Sequence, residues 1–440
     1  MRCASFAVVM TYCLSVSAVS AAASDRVNWP VRTGPTMNGH IAAEDATGLP
    51  LMWNEAAGNG IAWKTPLEGA GHSAPIIGHG RVWLTAATVD GTEQFVYCIN
   101  QADGEVVHHK RVFRNEMPEP LGNAINTYAS PSCALEDDAV YVHFGTYGTA
   151  RLDPKTAETV WERRDINCRH FRGPGSSPIL WDNLLILTFD GINRQFLTAL
   201  DNRTGETVWL TERTTDYGDL DKDGKPTLDG DLRKAYSTPG ITVINGKAQV
   251  VSVGSKAAFA YDALTGKELW MVRHDDYNAA APPSFFNEHA ILNTGSRGAN
   301  LLSVRLDETT RGDISMSHVV WNRDKGNSDL SAPVLIGDRI FSIANNGVLA
   351  CVDATSGAEV WQDRLKGTFT SSPITDGRTV LFVSEEGDCT LIEAADKFAV
   401  VAANRLEGSF RASAGAADGH YFLRSFDSLY SIGVRSSSVK

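Results

Sequence analysis

Cysteine is scarce in this chain, with seven in 440 residues, and no two stand at the close CxxC spacing of a zinc or redox site. The five beyond residue 23 (Cys98, Cys133, Cys168, Cys351 and Cys389) are odd in number, so at least one is unpaired. Basic excess is also missing. Lys and Arg total 40 against 52 Asp and Glu, a formal charge of -12, which repels phosphate backbones and anionic membrane surfaces and argues against a nucleic-acid partner. No apolar run after the first 19 residues is long enough to span a bilayer. There is no GxSxG elbow, Walker loop or HExxH. The eleven His are dispersed, and neither His108-His109 nor the pair His143 and His170 has metal-ligand spacing.

What is present is a globular composition, 43% hydrophobic and 21% charged, with 39 Gly and 17 Pro scattered singly as many short strands and tight turns require. Residues 1–23 read as a secretory signal: Arg2 is the positive charge, the apolar stretch runs from Phe6 to Val19, and Ala21-Ala22-Ala23 is a small-residue cleavage site. The expectation is an exported protein, periplasmic or extracellular and monomeric, with a mature chain that starts near Ser24. Residues 24–59 form an N-terminal extension, 60–435 a single domain and 436–440 a tail.

One phrase recurs along that domain: Asp, then Gly four residues on, then Trp four further. Its best copies are Asp201-Gly205-Trp209, Asp262-Gly266-Trp270 and Asp353-Gly357-Trp361, with weaker ones at Asp153-Ala157-Trp161 and Asn100-Gly104-His108. Asp accepts turn amides and Gly tolerates positive φ, so the phrase folds a hairpin whose returning strand carries Trp into a contact between sheets. A second phrase, Ser-x-Pro or Ser-Pro, precedes each hairpin, from Ser73-Ala74-Pro75 to Ser372-Pro373, and eight such units can be counted when a degenerate Ser413-Ala414 is included. Each is followed by a β-rich run such as RVWLT from Arg81 or TVLFV from Thr379. The expected fold is all-β: an eight-bladed propeller of four-stranded antiparallel blades. The eighth unit lacks a fourth strand, and residues 60–67 supply it, since the offset from Trp63 to Leu67 matches that from Trp361 to Leu365.

These repeats resemble the bacterial propellers with pyrroloquinoline-quinone-type (PQQ-like) repeats, over residues 60 to 432. That group includes quinone-dependent dehydrogenases, the propeller scaffold of outer-membrane protein assembly, and many exported proteins of unassigned activity. The resemblance implies two functions. One is a non-catalytic binding or scaffold module working through its loop-rich channel face, on a protein or small polar ligand of the cell envelope. The other is a quinoprotein oxidoreductase of the alcohol or sugar dehydrogenase type, holding PQQ and calcium in the channel. Dehydrogenases of that kind typically carry adjacent cysteines and an Asp base beside the calcium. This chain has no neighbouring Cys, so the non-enzymatic reading is preferred.

The loops that lead into each innermost strand gather at one channel mouth, and those over 110–128, 164–175 and 213–236 are long. Arg172, Lys256 and Arg297, together with Arg411, are expected to converge there as an anion or polar-ligand site, with Asn126 and Tyr236 as orienting donors. Asp190 is a candidate base, although Asp190-Gly191 reads equally as a turn. Asp219, Asp221 and Asp223, followed by Gly224, have the one-three-five spacing of a calcium loop, but its twelfth position is Gly230 rather than Glu. A weak calcium site or a polar surface turn are the alternatives.

Overall fold

The computed structural model describes residues 25–123, 125–295 and 299–435. The signal and the tail therefore lie outside the described residues. Eight sheets surround a channel as the blades of a propeller, each with four antiparallel strands; Val27–Trp29 and Gly312–Asp313 add a fifth to blades one and four. Helix is confined, among the described residues, to Ala43–Ala46 and two 3-10 turns. Blade one runs from Ile76–Gly78 at the channel to Val106–Arg114 at the rim, and blade eight from Gly415–Ala417 to Ser428–Ile432. The fourth strand of blade eight is Ile61–Pro66, which pairs antiparallel with Ser428–Ile432. The ring is thus closed by the N-terminal strand, which leaves no unpaired edge at that junction.

The repeat phrases join neighbouring blades. Asp201 Oδ1 accepts the amides of Arg203 and Thr204 at 3.0 and 2.8 Å, and Asp353 does the same for Thr355 and Ser356. Gly205 and Gly266 take φ of +76° and +69°, and a side chain on either would meet the Trp ring of the preceding blade, Trp161 or Trp209, within 2.8 Å. Glycine is therefore required twice over, by the turn and by the indole it covers. The same indoles donate across the junction, Trp161 to Asn202 O, Trp209 to Ala263 O and Trp321 to Ala354 O, each at 3.0 Å. Ala157 replaces Gly in blade two and still adopts φ +54°. Trp270 departs from the scheme: blade five has an insertion that adds Gly312–Asp313 beside its strand, and its indole donates instead to Gln249 Oε1.

The Ser-Pro phrases form a second belt nearer the axis. The amide of Ala74 donates to Ser132 Oγ, that of Ser132 to Ser177 Oγ, and that of Ser177 to Thr238 Oγ1. Ala332 to Ser372 and Ser372 to Ser413 repeat the step on the far side.

Residues 25–59 close the hairpin end of the channel. Val27–Trp29 pairs with the innermost strand of blade one, and the amide of Leu135 in blade two donates to Pro30 O. Gly39 and Ile41 then bracket Thr375 of blade seven through two backbone hydrogen bonds. The Asp45 carboxylate accepts from Arg26, Asn28 and the Asp418 amide of blade eight. The segment is a plug stitched to the inner strands, and it delivers the closing strand to blade eight.

Candidate functional site

Strand direction alternates within a blade, so the loops between blades and the turns between second and third strands share the face opposite the plug. There the channel opens as a cavity of about 440 Å³. Every blade contributes to its wall: His72, Asn126 and Gly175 from blades one to three, Tyr236 and Ala280 from four and five, and Leu330, Thr370 and Arg411 from six to eight. Arg32, carried by the plug, lines the same cavity.

The charged groups of this lining are unevenly paired. Asp231 takes both Lys234 and Arg172, the latter at a loose 3.7 Å. Arg411 pairs with Glu385 at 3.1 Å and donates through Nη1 to Ile125 O at 2.7 Å, which draws the long blade-two loop across to blade eight. Arg32 has no ion pair among the described residues, and its Nη1 is buried without a hydrogen-bond partner. Behind His72 lies Arg424, fully buried. Its Nη1 reaches Thr85 O at 2.8 Å and the Ser73 hydroxyl, while Nε and Nη2 have no hydrogen-bond partner among the described residues. Burial lowers both guanidiniums to about 10. Burial, then the charges of Arg424 and Arg411, push His72 down to about 3.

Of the residues expected from sequence, Asn126, Arg172, Tyr236 and Arg411 do meet at this mouth. Asn126 Nδ2 donates to Pro174 O at 2.9 Å, which holds the loops of blades two and three together. The Tyr236 hydroxyl is buried without a hydrogen-bond partner among the described residues, and burial pushes its pKa up. Lys256 is turned away: its ammonium is bonded to Asp275 O, on the loop after blade four. Arg297 lies outside the described residues.

Asp190 is no free base: it ends its strand at a hairpin turn, opposite Gln195 and with the Gly191 amide bonded to Arg194 O at 2.8 Å, and its side chain is buried. It forms a bidentate pair with Arg213, Oδ1 to Nε at 2.6 Å and Oδ2 to Nη2 at 2.7 Å, in which both side chains are at most 1% exposed. Burial pushes the carboxyl up against the opposing pull of Arg213. The three loop aspartates do not form one ligand set. Asp219 is held by Arg233 at 2.6 and 2.9 Å, and Asp221 caps the amides of Asp223 and Lys225. An internal guanidinium thus supplies the charge that a cation would bring. Among the described residues no group of three or more His, Cys, Asp or Glu could hold a metal ion.

Cys168 and His170 lie together, Sγ to Nδ1 at 3.6 Å, but are not in reactive states. Burial pushes the thiol well above its ordinary value and the imidazole down to about 4. His170 Nε2 accepts the Thr146 amide at 3.0 Å. Arg32, His72 and Arg424 were not foreseen from sequence, because nothing local marks a residue that reaches the axis from a plug or a neighbouring blade.

The buried imidazoles predict an acid-sensitive fold. His72 and His143 are held down to about 3, and His170 and His274 to about 4, in each case chiefly by burial. In the unfolded chain each takes up a proton near its ordinary value of about 6.5, so below that pH the unfolded state binds more protons and gains. Stability is fully present above about pH 6.5 and falls as the pH drops toward 4, by up to ~1.4 kcal/mol per pH unit per imidazole. The turn aspartates act lower, since hydrogen bonds from Thr88 and Thr309 hold Asp90 and Asp307 down to about 2. Tm measured from pH 7.5 to 4.5 should fall steeply below 6.5, and less steeply in His143→Gln; a flat profile would refute the assignment.

The family model described as outer membrane protein assembly factor BamB matches residues 15–191, 193–331 and 303–408. A curated relative of that name from Burkholderia pseudomallei (strain K96243) is 25% identical over 232 residues, 51% of this chain and 53% of the relative. The match therefore spans about half the length of that relative. Among solved structures, BamB from Moraxella catarrhalis superposes with a TM-score of 0.55 at 12% identity, covering 84% of this chain and 99% of that one. A quinohemoprotein alcohol dehydrogenase from Comamonas testosteroni superposes with a TM-score of 0.63 at 13% identity, covering 96% and 82%. At these identities the structural likeness is one of fold.

Proposed function

Because the chain belongs to the family of the outer membrane protein assembly factor BamB, a propeller family with PQQ-like repeats, we propose that it is an exported, non-catalytic binding module of the cell envelope. Its binding surface is the loop-rich channel mouth. The observation that carries this reading is the division of labour around the channel. The mouth holds a preformed cavity to which all eight blades contribute, while two groups considered for chemistry, Asp190 and Cys168, are buried outside its lining. Asp190 is occupied by Arg213, and the Cys168 thiol is buried and held protonated.

The dehydrogenase reading would need a quinone held by a metal ion beside a free carboxylate base. Two observations speak against that arrangement. Among the described residues no three His, Cys, Asp or Glu side chains are grouped to hold a metal ion, and the carboxylate of Asp231 is shared between Lys234 and Arg172.

Two measurements test the proposal. Titration with PQQ, with and without calcium, should leave Tm unchanged, because a ligand that binds only the folded state raises it. A photo-reactive residue at position 125, in the exposed blade-two loop, should crosslink a defined envelope protein in intact cells, and Arg172→Glu with Arg411→Glu should abolish the crosslink with Tm shifted by only a few degrees. A saturable quinone-dependent rise in Tm with turnover of an alcohol or sugar would overturn it.

A further inference from the structure

We infer that the channel mouth recognises an acidic, partly apolar polypeptide segment, whose carboxylates insert between Arg32, Arg172 and Arg411 while its apolar side chains cover the rim of blades eight, one and two. This deepens the binding-module reading and rests on it.

The first observation is the reversal of charge. The chain carries -12 overall, yet in and directly behind the lining five positive side chains, Arg32, Arg172, Lys234, Arg411 and Arg424, face three negative ones, Asp231, Asp329 and Glu385. The surplus is concentrated on Arg32 and Arg424, neither of which has an ion pair among the described residues, and both of which carry buried nitrogens without partners. A buried guanidinium without a counter-charge costs several kcal/mol, and an incoming carboxylate relieves that cost with charge-assisted hydrogen bonds.

The second observation is what surrounds the charges. Ile125 lines the cavity and is 55% exposed. Phe426, 43% exposed, stands tilted at 58° to the ring of His72 with centroids 6.3 Å apart. Met117 and Val89, 93% and 81% exposed, stand on the same face, in the blade-two loop and in the second-to-third turn of blade one. The rim is joined to the charged lining, since the carbonyl of Ile125 holds Arg411. A free anion has no use for these side chains, whereas a segment mixing acidic and apolar residues buries them and pairs with the arginines.

The test uses the full mature chain and a fluorescein-labelled dodecapeptide with four Glu and four Leu, against its Lys-for-Glu counterpart and against citrate. Anisotropy should show saturable binding of the acidic peptide, at least tenfold tighter than the Lys peptide and weakened by salt. Arg32→Gln should reduce it at least tenfold while raising Tm, because an unpaired buried charge is removed. Ile125→Ser with Phe426→Ser should weaken it several-fold. Should Arg32→Gln prove poorly folded, Arg411→Gln reports on the same binding. Equal binding of both peptides, unchanged binding in both arginine variants, or citrate binding tighter than the peptide with no effect of the rim variants would overturn the inference. Crosslinks from position 125 that persist while the acidic peptide fails to bind would overturn it and leave the binding-module reading standing; absence of any crosslink in the unaltered protein is the failure of that reading instead.

Discussion

Arg213→Met should be among the most destabilising single substitutions in this protein, costing ~3–5 kcal/mol. Its guanidinium spans two blades. It grips Asp190 at the end of a blade-three strand, donates to Ser252 Oγ of blade four at 2.8 Å, and lies over the Phe259 ring. Removing it leaves the Asp190 carboxylate buried with no counter-charge, and burial already pushes that carboxyl up. With an unfolding entropy of about 2 cal/mol/K per residue, such a loss lowers Tm by roughly 5 °C in a chain of this length. Asp190→Leu combined with Arg213→Met removes both charges and should recover most of the loss, because an ion pair exchanged for apolar groups of similar volume is close to neutral. Differential scanning calorimetry of the two variants decides it. A double variant as unstable as the single one would show that the pair's value lies in its hydrogen bonds to the neighbouring blade. A single variant within 1 °C of the parent would show that Asp190 is free to do something else, and would reopen its reading as a base.

The parts of this fold legible in the sequence are those that repeat. Asp, Gly and Trp at four-residue spacing announce a hairpin because each residue acts within its own turn, and Trp63 could be matched to Trp361 because both occupy the same place in a blade. The inter-blade use of the same residues was not legible. Gly205 is needed for the indole of Trp161 as much as for its positive φ, and Ser132 and Ser177 matter through hydroxyls that accept amides of the preceding blade.

The candidate site divides along the same line. Asn126, Arg172, Tyr236 and Arg411 sit in loops that the repeat count places on one face, so their convergence followed from topology. Lys256 failed because a residue at the right height can bend to a local carbonyl, here that of Asp275. The base reading of Asp190 could not anticipate a partner 23 residues away, just past the outer strand of the same blade. Arg32 had no signal: its segment has no repeat to align, and its path is set by pairing with the innermost strands of blades one, two and seven. The general physical reason is that periodicity reports contacts that recur in every blade, while a plug or a buried ion pair occurs once.

Closure of the ring is the second place where one side chain should carry a large effect. Trp63 lies on Ile61–Pro66, opposite Ser431 in blade eight, with its ring against Phe422 at 5.9 Å. Its Nε1 donates to Gln101 O in blade one at 3.0 Å, and Thr65 beside it donates to Gly104 O at 2.6 Å. The indole is 9% exposed, so Trp63→Ala should cost ~3–5 kcal/mol through lost burial and the cavity left behind. Trp361, which joins blades six and seven by the same hydrogen bond to Ala395 O, is only partly buried and should cost less. The two differ in consequence as well as size. Blades six and seven stay linked by a chain connection when Trp361 is lost, whereas blades eight and one meet through a strand that arrives from the other terminus, so weakening it exposes the Ser428–Ile432 edge. Hydrogen exchange should therefore show the amides of Ser428–Ile432 opening below the global unfolding energy in Trp63→Ala but not in Trp361→Ala. Gly104→Val should reproduce the Trp63 result from the other side, since Gly104 has φ +78° and its added carbon would lie 2.6 Å from the indole. Equal protection of that edge in both Trp variants would mean that the plug, rather than the closing strand, holds the ring shut.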